Sequence, residues 1–214
     1  MSYRALAMGF CAALSLALSA CVTAPTPRGS TASAIRTELE TEDPHRVAAA
    51  IDQVRANPGG YIPPIFGRVA AALYARGDHA EALLWMQFGL TRLAVDRRYI
   101  IAGREPTESG IASMVLGSYG ESLGEELLGY YRALPQDAAL ANFDEAERLD
   151  GATPRLYPQD WIVRGPDYGF DVNWVENPVT WPAEALSQHA AMRAAHVPRM
   201  RAQVEAESAE QDQN

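Results

Sequence analysis

Lysine is absent from this chain of 214 residues, so all 18 of its basic side chains are arginines. Without lysine there is no phosphate-binding loop of the P-loop type, whose lysine contacts the nucleotide phosphates. Acidic residues number 27, the formal net charge is −9, and the basic residues form no cluster. The negative net charge and the lack of a basic cluster argue against a nucleic-acid partner and against electrostatic docking on anionic lipid.

Cysteine is nearly absent as well: Cys11 and Cys21 are the two in the chain. Both belong to an N-terminal segment that we expect to be processed, so no structural disulfide is expected. The four histidines show no metal-ligand spacing. Residues 167–173 alternate polar side chains as in a calcium loop, but Pro178 stands where an EF-hand needs a bidentate glutamate. We therefore expect no metal site and no cofactor.

One apolar run, Ala5 to Ala20, follows a single charged residue, Arg4. It is shorter and richer in alanine and serine than a membrane span of about 20 apolar residues. A charged start, an apolar middle and a small-residue end are typical of a secretory signal peptide. The sequence therefore predicts export, with residues 1–20 as the signal.

The residues Leu18-Ser19-Ala20-Cys21 resemble the lipobox of bacterial lipoproteins. The resemblance implies a diacylglycerol on the Cys21 sulfur, cleavage just before it, and an acylated new N-terminus. Stable anchoring needs more than one acyl chain, and three chains satisfy that condition. Val22 stands where the family's inner-membrane retention signal places aspartate, which implies the outer membrane. An ordinary cleaved signal or a plain hydrophobic anchor is the alternative.

The rest of the chain is organised as one domain between two tails. Residues 21–33 predict a lipidated cysteine and a flexible tether, 34–205 a single helical domain, and 206–214 an acidic tail. Asp43 is placed to cap a helix whose first residue is Pro44. The turn residues at 57–60 are expected to end that helix.

Residues 63–95 predict two antiparallel helices, because apolar residues recur at helical spacing on both sides of Gly77-Asp78. Gly77 suits the left-handed end of the first helix, and Asp78 with Glu81 suits a capping box. This segment resembles a tetratricopeptide-type unit, with small residues at Ala70 and Ala82. The resemblance implies an all-α fold of repeat-like helical hairpins packed into one small bundle.

Three further helices are expected downstream, over 108–133, from Pro135 to Gly151, and from Trp181 into the acidic tail. Pro198 is expected to kink or interrupt the last of them. The first has one face of small residues and another face of large apolar residues. We interpret the small face as a site where another helix packs closely, and a break of the helix near Gly117 is the alternative. The two faces comprise Ser113, Gly117, Gly120 and Gly124, and Leu116, Leu123, Leu127 and Tyr130.

A long aromatic-rich loop, residues 157–181, precedes the last helix and contains three of the four tryptophans. Loops of this length in a compact domain are usually functional or pack as a cover. Aromatic rings with a nearby arginine are suited to stacking on a glycan or a peptide. The candidate binding residues are Tyr157, Trp161, Arg164, Tyr168 and Trp174, and a lid over the helix ends is the competing interpretation.

Two short motifs resemble catalytic ones. Gly120 to Gly124 matches the nucleophile elbow around Ser122, with His189 or His196 following in the order of an α/β-hydrolase triad. No alternation of strands and helices is present to build the sheet which that motif needs. Thr107-Glu108-Ser109 resembles the catalytic segment of lytic transglycosylases, which implies Glu108 as a general acid. The family's following segment is missing, and a capped helix start explains the same residues.

These observations favour a membrane-tethered helical lipoprotein that faces the periplasm and acts as a protein-interaction or envelope-assembly module. Its expected partners are the membrane, through its N-terminal acyl chains, and another protein. A peptidoglycan-cleaving enzyme using Glu108 and a glycan- or peptide-binding lipoprotein are the alternatives. No catalytic set is convincing, so an interaction module is favoured over an enzyme.

Overall fold

The computed structural model describes residues 32–101, 119–121, 123–159, 161–164 and 179–211, and the statements below concern these residues. They are helical and contain no β-strand, which confirms the predicted all-α class. The elements are α1 (Ala32–Leu39), α2 (Pro44–Ala56), α3 (Pro63–Ala75), α4 (His79–Ile101), α5 (119–132, residue 122 excepted), α6 (Gln136–Ala152), α7 (Trp161–Arg164) and α8 (Ala183–Gln211).

The first helices begin and end at local signals in the sequence. Helix α1 starts at Ala32, within the segment predicted as a tether. The Asp43 carboxylate accepts hydrogen bonds from the backbone N–H groups of His45 (2.9 Å) and Arg46, and Pro44 is the first residue of α2. Helix α2 ends at Ala56 and is followed by a 3₁₀ turn at Pro58–Gly60. The predicted cap and the predicted stop are both confirmed.

Helices α3 and α4 form the predicted hairpin. Gly77 has φ +85°, its N–H donates to the Tyr74 carbonyl, and the Asp78 N–H donates to the Leu73 carbonyl at 3.0 Å. This pair of bonds is the Schellman motif, and it satisfies the last carbonyls of α3. The predicted capping box is wrong. It needs the Asp78 N–H to donate to the Glu81 carboxylate, but this N–H donates to the Leu73 carbonyl. The Glu81 carboxylate instead accepts hydrogen bonds from Arg55 and Trp85.

The core lies between these two helices and the helices packed around α4. The predicted apolar stripes of the hairpin are buried, at Phe66, Val69, Ala70 and Leu73 on α3 and at Ala82, Trp85, Met86 and Leu93 on α4. Helix α4 contacts α3 on one side and α6, α7 and α8 elsewhere along its length. The chain therefore forms a bundle with α4 at its centre. A repeat of the hairpin is not established by one unit, so the tetratricopeptide resemblance stays a prediction.

The glycines of helix α5 do not have the close helix packing that was predicted for them from the sequence, as far as the described residues show. No atom of the described residues lies within 4 Å of where a Cβ on Gly120 or Gly124 would stand, and Gly124 has φ +72°. No helix of the described part of the chain therefore packs closely against these two glycines. At Gly124 a glycine is suited for another reason, because the backbone there has a positive φ. Leu123 and Leu127 are buried as expected, but Tyr130 is 38% exposed. Helix α8 continues through Pro198, so the predicted interruption is not observed.

Candidate functional site

Helix α4 carries two charged residues into the core. Arg92 and Asp96, one helical turn apart, are both fully buried. Asp150 near the end of α6 and His189 on α8 are buried beside them, and so is Arg155 in the segment after α6. We call these five residues, with the half-buried Arg193 of α8, the ion network. It is the largest concentration of buried charge in the described part of the chain.

Asp96 accepts four hydrogen bonds. Its Oδ1 accepts from Arg155 Nε at 2.8 Å and faces His189 Nε2 at 3.1 Å. Its Oδ2 accepts from Tyr157 Oη at 2.7 Å and from Trp161 Nε1 at 3.1 Å. Because an ionised carboxylate only accepts, the proton in the contact with His189 lies on Nε2. Every side of the Asp96 carboxylate is thus occupied by a donor from the protein.

Asp150 joins α4, α6 and α8. Its Oδ1 accepts from Arg92 Nε at 2.9 Å and from Arg155 Nη2 at 3.2 Å, and its Oδ2 accepts from Arg193 Nε at 3.2 Å. Arg92 also donates to the carbonyl of Thr153 at 2.7 Å. Since Arg155 contacts both aspartates, it is the bridge between the two halves of the network.

The surroundings of the two aspartates in the network favour their ionised state. Burial alone would raise the pKa of Asp96, but the charge of Arg155 and the hydrogen bond with His189 outweigh it and place that pKa well below 3.8. Burial also opposes ionisation of Asp150, whose pKa is lowered nonetheless by Arg155 and Arg92. Burial and the charge of Asp96 raise the pKa of Tyr157 far above its ordinary value, so its hydroxyl stays protonated.

A groove of about 490 Å³ lies beside the network, between the end of α6 and the first half of α8. Its lining includes Arg155, His189 and Arg193, which are the members of the network nearest to solvent. Both arginines already pair with acids, since Arg193 contacts Glu147 as well as Asp150. The arrangement therefore has no uncommitted cation or base, and its clear effect is to fix α4, α6 and α8 against one another.

Two of the predicted binding residues are members of the core. Tyr157 and Trp161 are no more than 1% exposed, and both donate to Asp96. Trp181 is buried too, and its Nε1 donates to the Tyr157 carbonyl. Stacking of Tyr157 or Trp161 on a ligand would require these rings to leave the core. Arg164 is the last residue of α7.

The other predicted sites lie outside the described residues. They are the lipidation site Cys21, the candidate acid Glu108, the candidate nucleophile Ser122, the aromatic residues Tyr168 and Trp174, and the calcium-like run at 167–173. Their roles stay predictions. In the part of the chain that the structure describes, no group of three histidine, cysteine, aspartate or glutamate side chains is placed to hold a metal ion. Among the described helices, none is both long and apolar enough to cross a membrane.

Reasoning from the sequence missed the ion network. His189 has no acid close to it along the chain, and its partner Asp96 is 93 residues away on α4. One signal was present in the sequence, because Arg92 and Asp96 stand four residues apart within a strongly apolar helix. Charged side chains are rarely buried unless they are paired, so this spacing could have indicated a buried ion pair. Comparison with family models, with curated proteins and with solved structures finds no match to this chain.

Proposed function

We propose that this chain is a lipid-anchored protein of the bacterial envelope whose helical domain binds another protein. The observation that carries the proposal is Cys21, which ends a small-residue motif directly behind a short apolar run and a single arginine. Acylation at that cysteine would place the domain at a membrane surface. Val22 then favours the outer membrane, with the domain in the periplasm.

The helical domain supports a role in binding more than a role in catalysis. In the described residues, the buried carboxylates that have shifted pKa values are saturated with donors from the protein. A general acid or base must instead reach the proton that it transfers on a substrate. A network of this kind stabilises one arrangement of helices, and such a rigid surface loses little conformational freedom when a partner binds.

The anchor is tested by metabolic labelling with an alkyne-bearing fatty acid during expression in a bacterium. We expect the protein to be labelled and to fractionate with the outer membrane, and Cys21→Ser to abolish both. Cys11→Ser is the matched control, because it removes the other cysteine and leaves the motif intact. Label retained in Cys21→Ser, or a mature chain that lacks residue 21 by mass spectrometry, would show that the anchor is absent.

The binding role is tested by crosslinking in intact cells, followed by purification of the full chain. We expect a discrete adduct with one envelope protein, and we expect Cys21→Ser to lose that adduct if anchoring brings the two together. Incubation with purified peptidoglycan tests the enzymatic alternative. Release of soluble fragments by the full chain but not by Glu108→Gln, with Glu125→Gln as the control, would replace binding by glycan cleavage as the function.

A further inference from the structure

A second cavity, of about 270 Å³, lies between the C-terminal part of α4 and the middle of α8. Its lining combines two arginines and a histidine with two apolar side chains. These are Arg98 of α4 and Met192, Ala195, His196 and Arg199 of α8. None of these residues belongs to the ion network, and the proposed function does not use them.

The positive charge in this cavity has no acidic partner among the residues that the structure describes. Arg98 Nε donates to His196 Nε2 at 3.2 Å, so the imidazole is neutral and carries its proton on Nδ1. Among the described residues, neither Arg98 nor Arg199 forms an ion pair with an acid, whereas Arg201, on the same helix, pairs with Asp144 and Glu205. Two guanidinium groups that have no acidic partner in the described residues thus lie at one place on a protein whose formal net charge is −9.

The effect of these charges is visible at His196. Partial burial, the charge of Arg98 and the charge of Arg199 each lower the pKa of His196. In the described part of the chain, no acid raises this pKa. The cavity therefore disfavours a further positive charge and favours a negative one.

We propose that the cavity between Arg98 and Arg199 binds the oxyanion end of a small organic ligand, a phosphate or a carboxylate, whose adjoining carbons contact Met192 and Ala195. Guanidinium groups match both oxyanions, because their N–H donors form paired, charge-assisted hydrogen bonds. The cavity is slightly smaller than typical ligand pockets of about 300–1,000 Å³. It therefore suits a short molecule, or the anionic end of a longer one.

The groove beside the ion network does not offer the same chemistry. Its cations, Arg155 and Arg193, already contact Asp96, Asp150 and Glu147. An incoming anion there would face the carboxylate of Asp150. The smaller cavity is thus distinguished by cations that have no acidic partner in the described residues, and not by its volume.

Binding is tested on the full-length protein in a non-ionic detergent, with histidine-labelled samples observed by NMR. Butyl phosphate, butyrate and inorganic phosphate are the anionic probes, and butanol is the neutral one. We expect butyl phosphate or butyrate to shift the His196 signal saturably, and the exposed His45 to stay unchanged. The His196 signal is assigned from its loss in His196→Gln.

Substitution of either arginine should weaken binding. We expect Arg98→Gln and Arg199→Gln each to raise Kd about tenfold, since each removes a charge-assisted contact to the anion. Arg132→Gln is the matched control, because Arg132 is an exposed arginine of α5 that lines neither cavity.

Four results would overturn the proposal. They are the absence of a saturable shift with any anion, an equal response to butanol, an equal affinity for inorganic phosphate and butyl phosphate, and an equal loss of affinity in Arg132→Gln. The first two results would show that the cavity is not an anion site. The third would show that the carbons of the ligand make no apolar contacts that favour binding. The fourth would show attraction by overall charge alone. None of them depends on lipidation or on a protein partner, so the proposed function is tested separately.

Discussion

The two buried aspartates join helices α4, α6 and α8 through the ion network. Moving a carboxylate and a guanidinium out of water costs several kcal/mol per ion, and attraction between them offsets that cost only when the remaining donors and acceptors are satisfied. Asp96 meets the condition with four hydrogen bonds, and Asp150 with contacts to three arginines. Removing one aspartate would leave the buried groups that contact it with fewer acceptors and with less negative charge to offset their burial.

Asp96→Asn should therefore destabilise the protein strongly. The substitution keeps the size of the side chain but removes the negative charge that faces the buried Arg155. It also replaces one acceptor oxygen of the carboxylate with an amide that donates. We expect the free energy of unfolding to fall by about 3–5 kcal/mol, measured by urea denaturation of the purified protein. A loss below about 1 kcal/mol would mean that water or another acid replaces Asp96.

The control for this substitution is an ion pair on the surface. Glu145 and Arg148 of α6 contact each other at 2.6 Å, and both side chains are largely exposed. Exposed pairs contribute little, because solvent screens their attraction and the side chains lose rotamer freedom. Glu145→Gln should leave the urea midpoint unchanged within error.

Acidic pH should remove the contribution of Asp96 to the free energy of unfolding. The pKa of this carboxyl in the folded protein is below 3.8, so the unfolded chain takes up the proton first as the pH falls. The stabilisation is fully present above the unfolded pKa of about 3.9 and is lost as the pH falls through the folded value. The difference in stability between the natural protein and Asp96→Asn should shrink as the pH falls below about 4. Urea titrations at each pH measure it, and a difference that grows in acid would contradict the assignment.

The hairpin of α3 and α4 shows what the sequence alone determines at the scale of an element. Its apolar spacing, its Gly77 turn and the cap at Asp43 of the preceding helix are local signals, and the structure confirms each of them. The glycines of α5 show the limit of this reasoning. A glycine costs helix propensity wherever it stands, so its presence does not reveal whether a neighbouring helix approaches it.

The close approach occurs at Gly89 on α4. A Cβ there would stand 2.8 Å from the Phe66 Cβ on α3 and would also overlap the hydroxyl of Tyr119, which donates to the Met86 carbonyl. We expect Gly89→Ala to destabilise the protein by about 1–3 kcal/mol, because backbones in a packed core must move to admit the methyl group. Thermal unfolding followed by circular dichroism measures the change.

Gly129→Ala is the matched substitution. Gly129 lies in α5, has no positive φ, and has no atom of the described part of the chain within 4 Å of its missing Cβ. Alanine should stabilise the helix there by about 0.5–1 kcal/mol through propensity. If both glycine substitutions destabilise the protein equally, the close contact at Gly89 is not the cause.

At the scale of the whole molecule, the ion network links segments that are distant in sequence. Its contacts join residues separated by 58, 59 and 93 positions, and they converge on α4. Pattern reasoning works within windows of one or two helices, and for that reason it predicted the helices but not the site between them. The same helix α4 also forms the hairpin core with α3, so both halves of the bundle share one central element.

Because both halves of the bundle pack on α4, we expect the bundle to unfold as one cooperative unit. Loss of Asp96 weakens the half formed by α6 and α8, but α4 cannot lose its packing there without loosening its contacts with α3. In native-state hydrogen exchange, Asp96→Asn should therefore lower the protection free energy of amides in α3, such as Leu73, as much as that of amides in α6, such as Ala146. Both residues are fully buried, so exposure to solvent in the folded state does not separate them. Protection that falls in α6 and α8 while α3 keeps its natural value would show two independent units, with the hairpin folding without the ion network.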